Sequence, residues 1–115
     1  MKDVVKAFKA IADESRLRIL GMLKVRTLCV CEIAEVLGLA QSTVSRHLKI
    51  LEDSGLVHRQ KDGLWVEYSL PSMPPGSLSG KVLELVQDML EEDPLVRRDL
   101  HSAEQVDREI ICQRS

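Results

Sequence analysis

Ile33-Ala34-Glu35-Val36-Leu37-Gly38-Leu39-Ala40-Gln41-Ser42-Thr43-Val44-Ser45-Arg46-His47-Leu48 is the stretch from which the rest of the chain is best read. Ile33, Val36 and Leu37 recur at helical spacing over residues 31 to 37, and Gly38 is the residue best able to take the left-handed conformation of a tight helix exit. A second helix begins near Gln41 and turns Val44, Leu48 and Leu51 inward. Two helices joined by a glycine-containing turn make a helix-turn-helix. Hydroxyl and amide side chains crowd the first turns of the second helix, where a recognition helix offers its N-terminal end to base edges and phosphates. Gln41, Ser42, Thr43, Ser45, Arg46 and His47 are therefore candidate DNA contacts, with Arg46 best suited to a guanine or a phosphate. The plainer reading is that Ser42 and Thr43 cap a structural helix and Arg46 lies on a solvated face. The order of the surrounding elements favours the DNA reading.

Downstream, Gly55 closes the recognition helix and the period changes from about four to two. Residues 56–61 and 64–70 alternate as strands, with Asp62-Gly63 as the turn of a β-hairpin, a "wing". The lone Trp65 fits a half-buried position under a hairpin as well as it fits a DNA contact, whereas Tyr68 reads as core. Pro71, Pro74, Pro75 and Gly76 break the chain. A last helix then runs from Leu78 to Glu91 with Leu78, Val82, Leu85, Val86 and Met89 on one stripe, more than one small domain can hide, which predicts a homodimer. Upstream, Val4, Phe8, Ile11 and Ala12 give a short amphipathic helix with its lysines outward. Asp13 is placed to cap a second helix, carrying Leu17, Leu20 and Leu23 to about Lys24.

The fold class expected is mainly α with a small β-hairpin, a winged helix-turn-helix. Residues 1–92 form the DNA-binding and dimerisation domain, and 93–115 a charged C-terminal tail. In that tail Asp93 either caps another short helix or opens a mobile segment.

Composition agrees with an ordinary globular chain: 44% hydrophobic and 30% charged residues belong to neither a disordered nor a membrane protein. No apolar run approaches the roughly 20 residues that span a bilayer, and Met1-Lys2-Asp3 opens no signal peptide, so the cytoplasm is the expected compartment. The net charge of −2 is unevenly spread. Residues 41–61 set Arg46, Lys49, Arg59 and Lys61 against Glu52 and Asp53, while 81–115 carry nine acidic and five basic residues. A local basic patch thus faces DNA despite the acidic total. There is no glycine-rich phosphate loop, no nucleophile with a plausible base and no metal-hydrolase motif, so no enzyme is expected.

Three features together, Phe8-Lys9-Ala10-Ile11-Ala12-Asp13-Glu14-Ser15-Arg16-Leu17-Arg18-Ile19-Leu20, the helix-turn-helix from Glu32 to Leu51, and Glu52-Asp53-Ser54-Gly55-Leu56-Val57, resemble the ArsR/SmtB family of metal- and metalloid-responsive repressors. The resemblance covers nearly the whole folded length. It implies a winged helix that dimerises through its first and last helices and binds double-stranded operator DNA. It also implies a hairpin that touches the DNA backbone or minor groove, which makes Arg59, Lys61 and Trp65 wing contacts.

Three cysteines are an odd number, and Cys29 and Cys31 stand too close in sequence for an ordinary structural disulfide. In a reducing compartment they are thiols open to a metal or to redox chemistry. Thr27-Leu28-Cys29-Val30-Cys31-Glu32-Ile33 resembles the metalloid box of the family's arsenic-responsive branch, and soft thiolates suit arsenite or antimonite. Residues two apart on a regular helix point about 200° away from each other, so both sulfurs reach one ion only if this turn unwinds. Such unwinding would disturb the recognition helix, as an effector must.

The best-known arsenic sensors have a third cysteine at the position of Ala34. Either the site is two-coordinate, or Cys112 supplies the third thiolate, or the effector is another ion. Rival inputs on the same fold are thiol oxidation and cadmium or zinc. The zinc-type site on the last helix is poorly supported, because residues 78–92 contain no histidine; His47 and His58 lack a second ligand at helical spacing, and His101 stands alone in the tail. Inert cysteines packed in a core would leave a constitutive binding module.

Overall fold

A computed structural model describes residues 1–74 and 76–107. Among the described residues six helices and three strands follow in order: α1 Lys2–Ile11, α2 Glu14–Met22, β1 Leu28–Cys29, α3 Val30–Leu37, α4 Gln41–Asp53, β2 His58–Asp62, β3 Trp65–Ser69, α5 Leu78–Leu90 and α6 Pro94–Gln105. The fold is the expected one, mainly helical with a small antiparallel sheet. The short strand β1 was not anticipated.

α2 is the central helix. Asp13, extended at φ −157°, caps it by accepting the Arg16 N–H at 3.0 Å, and Ile19, Leu20 and Met22 are fully buried. α1 buries Ala7 and Ala10, while Val4, Val5 and Phe8 stay exposed. The small alanines make the intramolecular contact and leave the larger apolar side chains of the amphipathic helix outside. α5 divides its stripe similarly, with Val82, Leu83 and Val86 buried and Leu85 and Met89 exposed.

α3 ends at Gly38, whose φ of 70° is the left-handed exit read from the sequence, with its N–H on the Ala34 carbonyl at 2.8 Å. α4 then places Val44, Leu48 and Leu51 in the core. The strand order is β1-β3-β2. Asp62 pairs with Trp65, so the two-residue hairpin loop is Gly63-Leu64, one residue later than Asp62-Gly63. Gly63 takes φ 61° at its first position, as a type II′ loop requires.

At the C-terminal end, Asp93 accepts the N–H groups of Leu95 and Val96 and caps α6. Of the two possibilities open for the segment after Asp93, the structure has the helix. α6 lies on α2, held by Arg18, which donates two hydrogen bonds to the buried Asp99 at 2.8 and 3.0 Å.

Candidate nucleic-acid interface and cysteine site

Among the described residues no side chain caps α4, whose N-cap is Ala40. Ser42 and Thr43 lie within its first turn, so the plain capping reading does not describe them. The uncapped N-terminal N–H groups and these hydroxyls form the kind of surface that accepts an anion. Gln41, Ser42, Ser45 and Arg46 are exposed and Thr43 is partly so. Arg46 donates a long hydrogen bond of 3.4 Å to the Thr43 hydroxyl, leaving most of its donors to the outside. His47 differs, because its side chain is only 17% exposed and its Nδ1 lies 3.2 Å from Arg16 Nη1. Arg59 and Lys61 stand on β2, all of it exposed, opposite Tyr68 and Val66. Trp65 is partly buried, Tyr68 is buried as expected, and Leu64 stands almost fully exposed at the hairpin tip.

Cys29 and Cys31 are both buried, and their sulfurs are 3.0 Å apart. The expected unwinding is not needed to bring them together. Cys29 is not helical: at φ −92°, ψ 168° it is the extended N-cap of α3, and only Cys31 lies within the helix. The 200° separation applies to two helical positions, so it does not apply here. A separation of 3.0 Å exceeds the ~2.0 Å of an S–S bond, so the two sulfurs are not joined to each other. Cys112 lies outside the described residues. Ala34, one turn beyond Cys31, is buried, and no group of three or more metal-ligating His, Cys, Asp or Glu side chains occurs among the described residues.

The surroundings of the pair include contacts that period-counting missed. Through β1, Leu28 pairs with Tyr68 and Cys29 with Glu67, so the cysteine-bearing strand is bonded to the wing. The Cys29 N–H donates to the Glu32 carboxylate at 2.9 Å in a capping box. Cys29-Val30-Cys31-Glu32 has the spacing of the Ser/Thr-x-x-Glu capping signal with cysteine in the cap position, and that signal was available in the sequence. Glu32, fully buried, also accepts from Arg26 at 2.6 Å. Arg26 in turn donates to the Ala103 and Val106 carbonyls at the end of α6.

Residues 13–59 match the family model described as "Bacterial regulatory protein, arsR family". The chain is 43% identical over 72 residues to the arsenical resistance operon repressor of Escherichia coli, covering 61% of this chain and 62% of that protein. It is 38% identical over 93 residues to an arsenic resistance transcriptional regulator of Pseudomonas putida, covering 76% and 72%. It spans about three-fifths of the length of several curated relatives, the Escherichia coli protein among them. Among solved structures, a Mycobacterium bovis fragment described as a homodimeric winged helix-turn-helix DNA-binding domain superposes with a TM-score of 0.65 at 29% identity, covering 81% of this chain and 82% of that one.

Proposed function

The chain belongs to the ArsR family of bacterial regulatory proteins, and on that premise we propose that it is a homodimeric repressor whose hold on operator DNA is released by arsenite or antimonite at Cys29 and Cys31. The observation that carries this reading is the 3.0 Å approach of the two sulfurs at a residue that is at once the N-cap of α3 and the strand partner of the wing. An ion with bonds to sulfur of about 2.3 Å holds two sulfurs roughly 3.8 Å apart at the tetrahedral angles of zinc and roughly 3.4 Å apart at the narrower angles of pyramidal arsenic(III). The two sulfurs, 3.0 Å apart, must therefore move slightly apart to accept it. That opening acts on α3 and β3 together, so the recognition helix and the wing lose register jointly. Similarity to arsenical and arsenic resistance regulators supports the metalloid as input.

Gln41, Ser42, Thr43, Ser45 and Arg46 are the proposed groove contacts, with Arg59 and Lys61 on the flanking backbone. Val4, Val5 and Phe8 of α1 with Leu85 and Met89 of α5 form the proposed dimer face; their exposure and the homodimeric neighbour support it. Cys112 is proposed as a facultative third thiolate. The expected compartment is the cytoplasm; no described helix is long and apolar enough to cross a membrane.

The closeness of the two buried sulfurs favours a second reading, in which oxidation of the thiols is the input. The test is DNA release from the reduced protein, followed by fluorescence anisotropy, on titration with arsenite, antimonite, cadmium, zinc and peroxide. Release by arsenite at the lowest concentration supports the proposal. Release by peroxide alone replaces it with the redox reading, and release by cadmium or zinc alone with a metal sensor.

A further inference from the structure

We infer that His47 is a positioning residue of the recognition helix, latched through Arg16 to the end of the dimerisation helix, rather than a DNA contact. The inference rests on the proposed reading of α4 as the DNA-reading helix and of α1 as part of the dimer face. Arg16 is the hub. Its Nε donates to the Ala10 carbonyl at 2.6 Å and its Nη2 to the Lys9 carbonyl at 3.2 Å, both in the last turn of α1, where helical carbonyls run short of intrahelical partners; the Lys9 carbonyl also accepts the Ala12 N–H at 3.3 Å. Its Nη1 lies 3.2 Å from His47 Nδ1. Asp13 borders the cluster, with its carboxylate oxygens 3.9 Å from Arg16 Nη1 and 4.0 Å from His47 Nδ1.

The chemistry fixes the direction of the central bond. A guanidinium has only donors, so Arg16 donates and His47 Nδ1 accepts. Nδ1 is therefore the unprotonated nitrogen and Nε2 carries the ring proton. One planar, rigid side chain thus joins α1 to α4, and the Arg16 side chain is only 14% exposed. In a symmetric dimer the two recognition helices must lie one helical turn of DNA apart. A contact that fixes α4 against the end of α1 sets that spacing.

Amide substitutions separate the two roles of the ring. The Asn oxygen stands close to the place of Nδ1, and the Gln amide close to that of Nε2. His47→Asn is expected to keep operator affinity near wild type, whereas His47→Gln and His47→Ala lose about tenfold, as loss of a hydrogen bond to a charged group predicts. The last two also lose discrimination against operators with two base pairs added between half-sites. A Gln variant that keeps affinity while Asn loses it makes Nε2 a DNA contact and overturns the inference. Three variants alike, all near wild type or all equally weak, overturn it too. Long-range proton–nitrogen spectra of the DNA-free dimer test the latch independently: Nδ1 is expected unprotonated, and a protonated Nδ1 ends the inference. A chain that binds no operator while showing the unprotonated Nδ1 would instead sink the repressor reading.

Discussion

Arg26 Nη2 donates to Glu32 Oε2 over 2.6 Å, and the fully buried Glu32 gives its other oxygen to the Cys29 N–H. One ion pair therefore holds the backbone of the cysteine site, and the same guanidinium holds the end of α6 through the carbonyls of Ala103 and Val106. Removing one partner of a buried pair is costly because the other charge stays behind. Arg26→Ala should cost about 2–3 kcal/mol, below the roughly 3–5 kcal/mol of a fully buried pair since Arg26 is one-third exposed. Urea unfolding measures the loss, and an unchanged midpoint would make the pair incidental. At temperatures where the variant stays folded, the arsenite concentration for half-release should also shift, because Cys29 loses its fixed place.

Arg46→Ala should weaken operator binding without altering the melting temperature, since the side chain is exposed and its hydrogen bond to Thr43 is long. If Arg46 neutralises one phosphate, the slope of log affinity against log salt should fall by about 0.9 and all sequences should lose affinity alike. If it reads guanine, the loss should concentrate at one base position. Unchanged affinity in a salt titration removes Arg46 from the interface.

How far these elements were legible in the sequence depended on whether they carry a period. The recognition helix has Val44, Leu48 and Leu51 at helical spacing and an αL glycine before it, so pattern and structure agree. β1 has two residues, and two residues have no period; its pairing with Tyr68 and Glu67 is a tertiary fact. That omission also misled the geometry of the cysteine pair, since Cys29 was placed on a helix it only caps. The wing was legible but its loop was displaced by one residue, because Asp62-Gly63 is a turn signal in its own right, whereas the register needs Asp62 opposite Trp65. The apolar residues of α1 were recognised, but a stripe does not say whether it faces its own core or a second copy.

Gly21 lets α6 approach α2. A Cβ at that position would stand 2.8 Å from Cγ1 of Val96, a β-branched side chain with little rotamer freedom on a helix. Gly21→Ala should therefore destabilise by about 1–2 kcal/mol, overpacking outweighing the gain of about 1 kcal/mol in helix propensity. The Gly21→Ala, Val96→Ala double variant should recover part of the loss. Equal stability of the single variant and wild type in thermal melts would mean that α6 yields without strain.

Asp13 is the N-cap of α2. Burial pushes its carboxyl pKa up, but the Arg16 N–H and the Arg16 charge outweigh that and hold it below the ordinary 3.8. A folded-state value below the unfolded one contributes stability that is fully present above about pH 4 and is lost as pH falls through the folded value. Asp13→Asn keeps the cap, since the two residues cap equally well, and should cost about 0.5 kcal/mol at neutral pH for this partly exposed charge. Its deficit against wild type in urea unfolding should shrink below pH 4; a deficit constant with pH would rule out the charge as its source.

The cysteines bear the proposed function, and their substitutions separate structure from sensing. Serine is a strong N-cap, so Cys29→Ser should keep the capping box with Glu32 and the pairing with Glu67, and the operator should be bound as before. Cys31→Ser replaces a buried sulfur on the first turn of α3 with a smaller polar group, at a stability cost of about 1 kcal/mol and no loss of DNA contacts. Each variant should bind operator and fail to release it with arsenite, because only the Cys29–Cys31 chelate acts on the N-cap of α3 and on β1 together, and the remaining thiolate with Cys112 does not restore it. Cys112→Ser should release DNA only at higher arsenite, and the sulfur coordination number from X-ray absorption should fall from three to two. If it remains three, another ligand completes the site and Cys112 is a bystander. If the Cys29→Ser, Cys31→Ser double variant still releases DNA at the wild-type arsenite concentration, the metalloid site lies elsewhere and the proposed function fails.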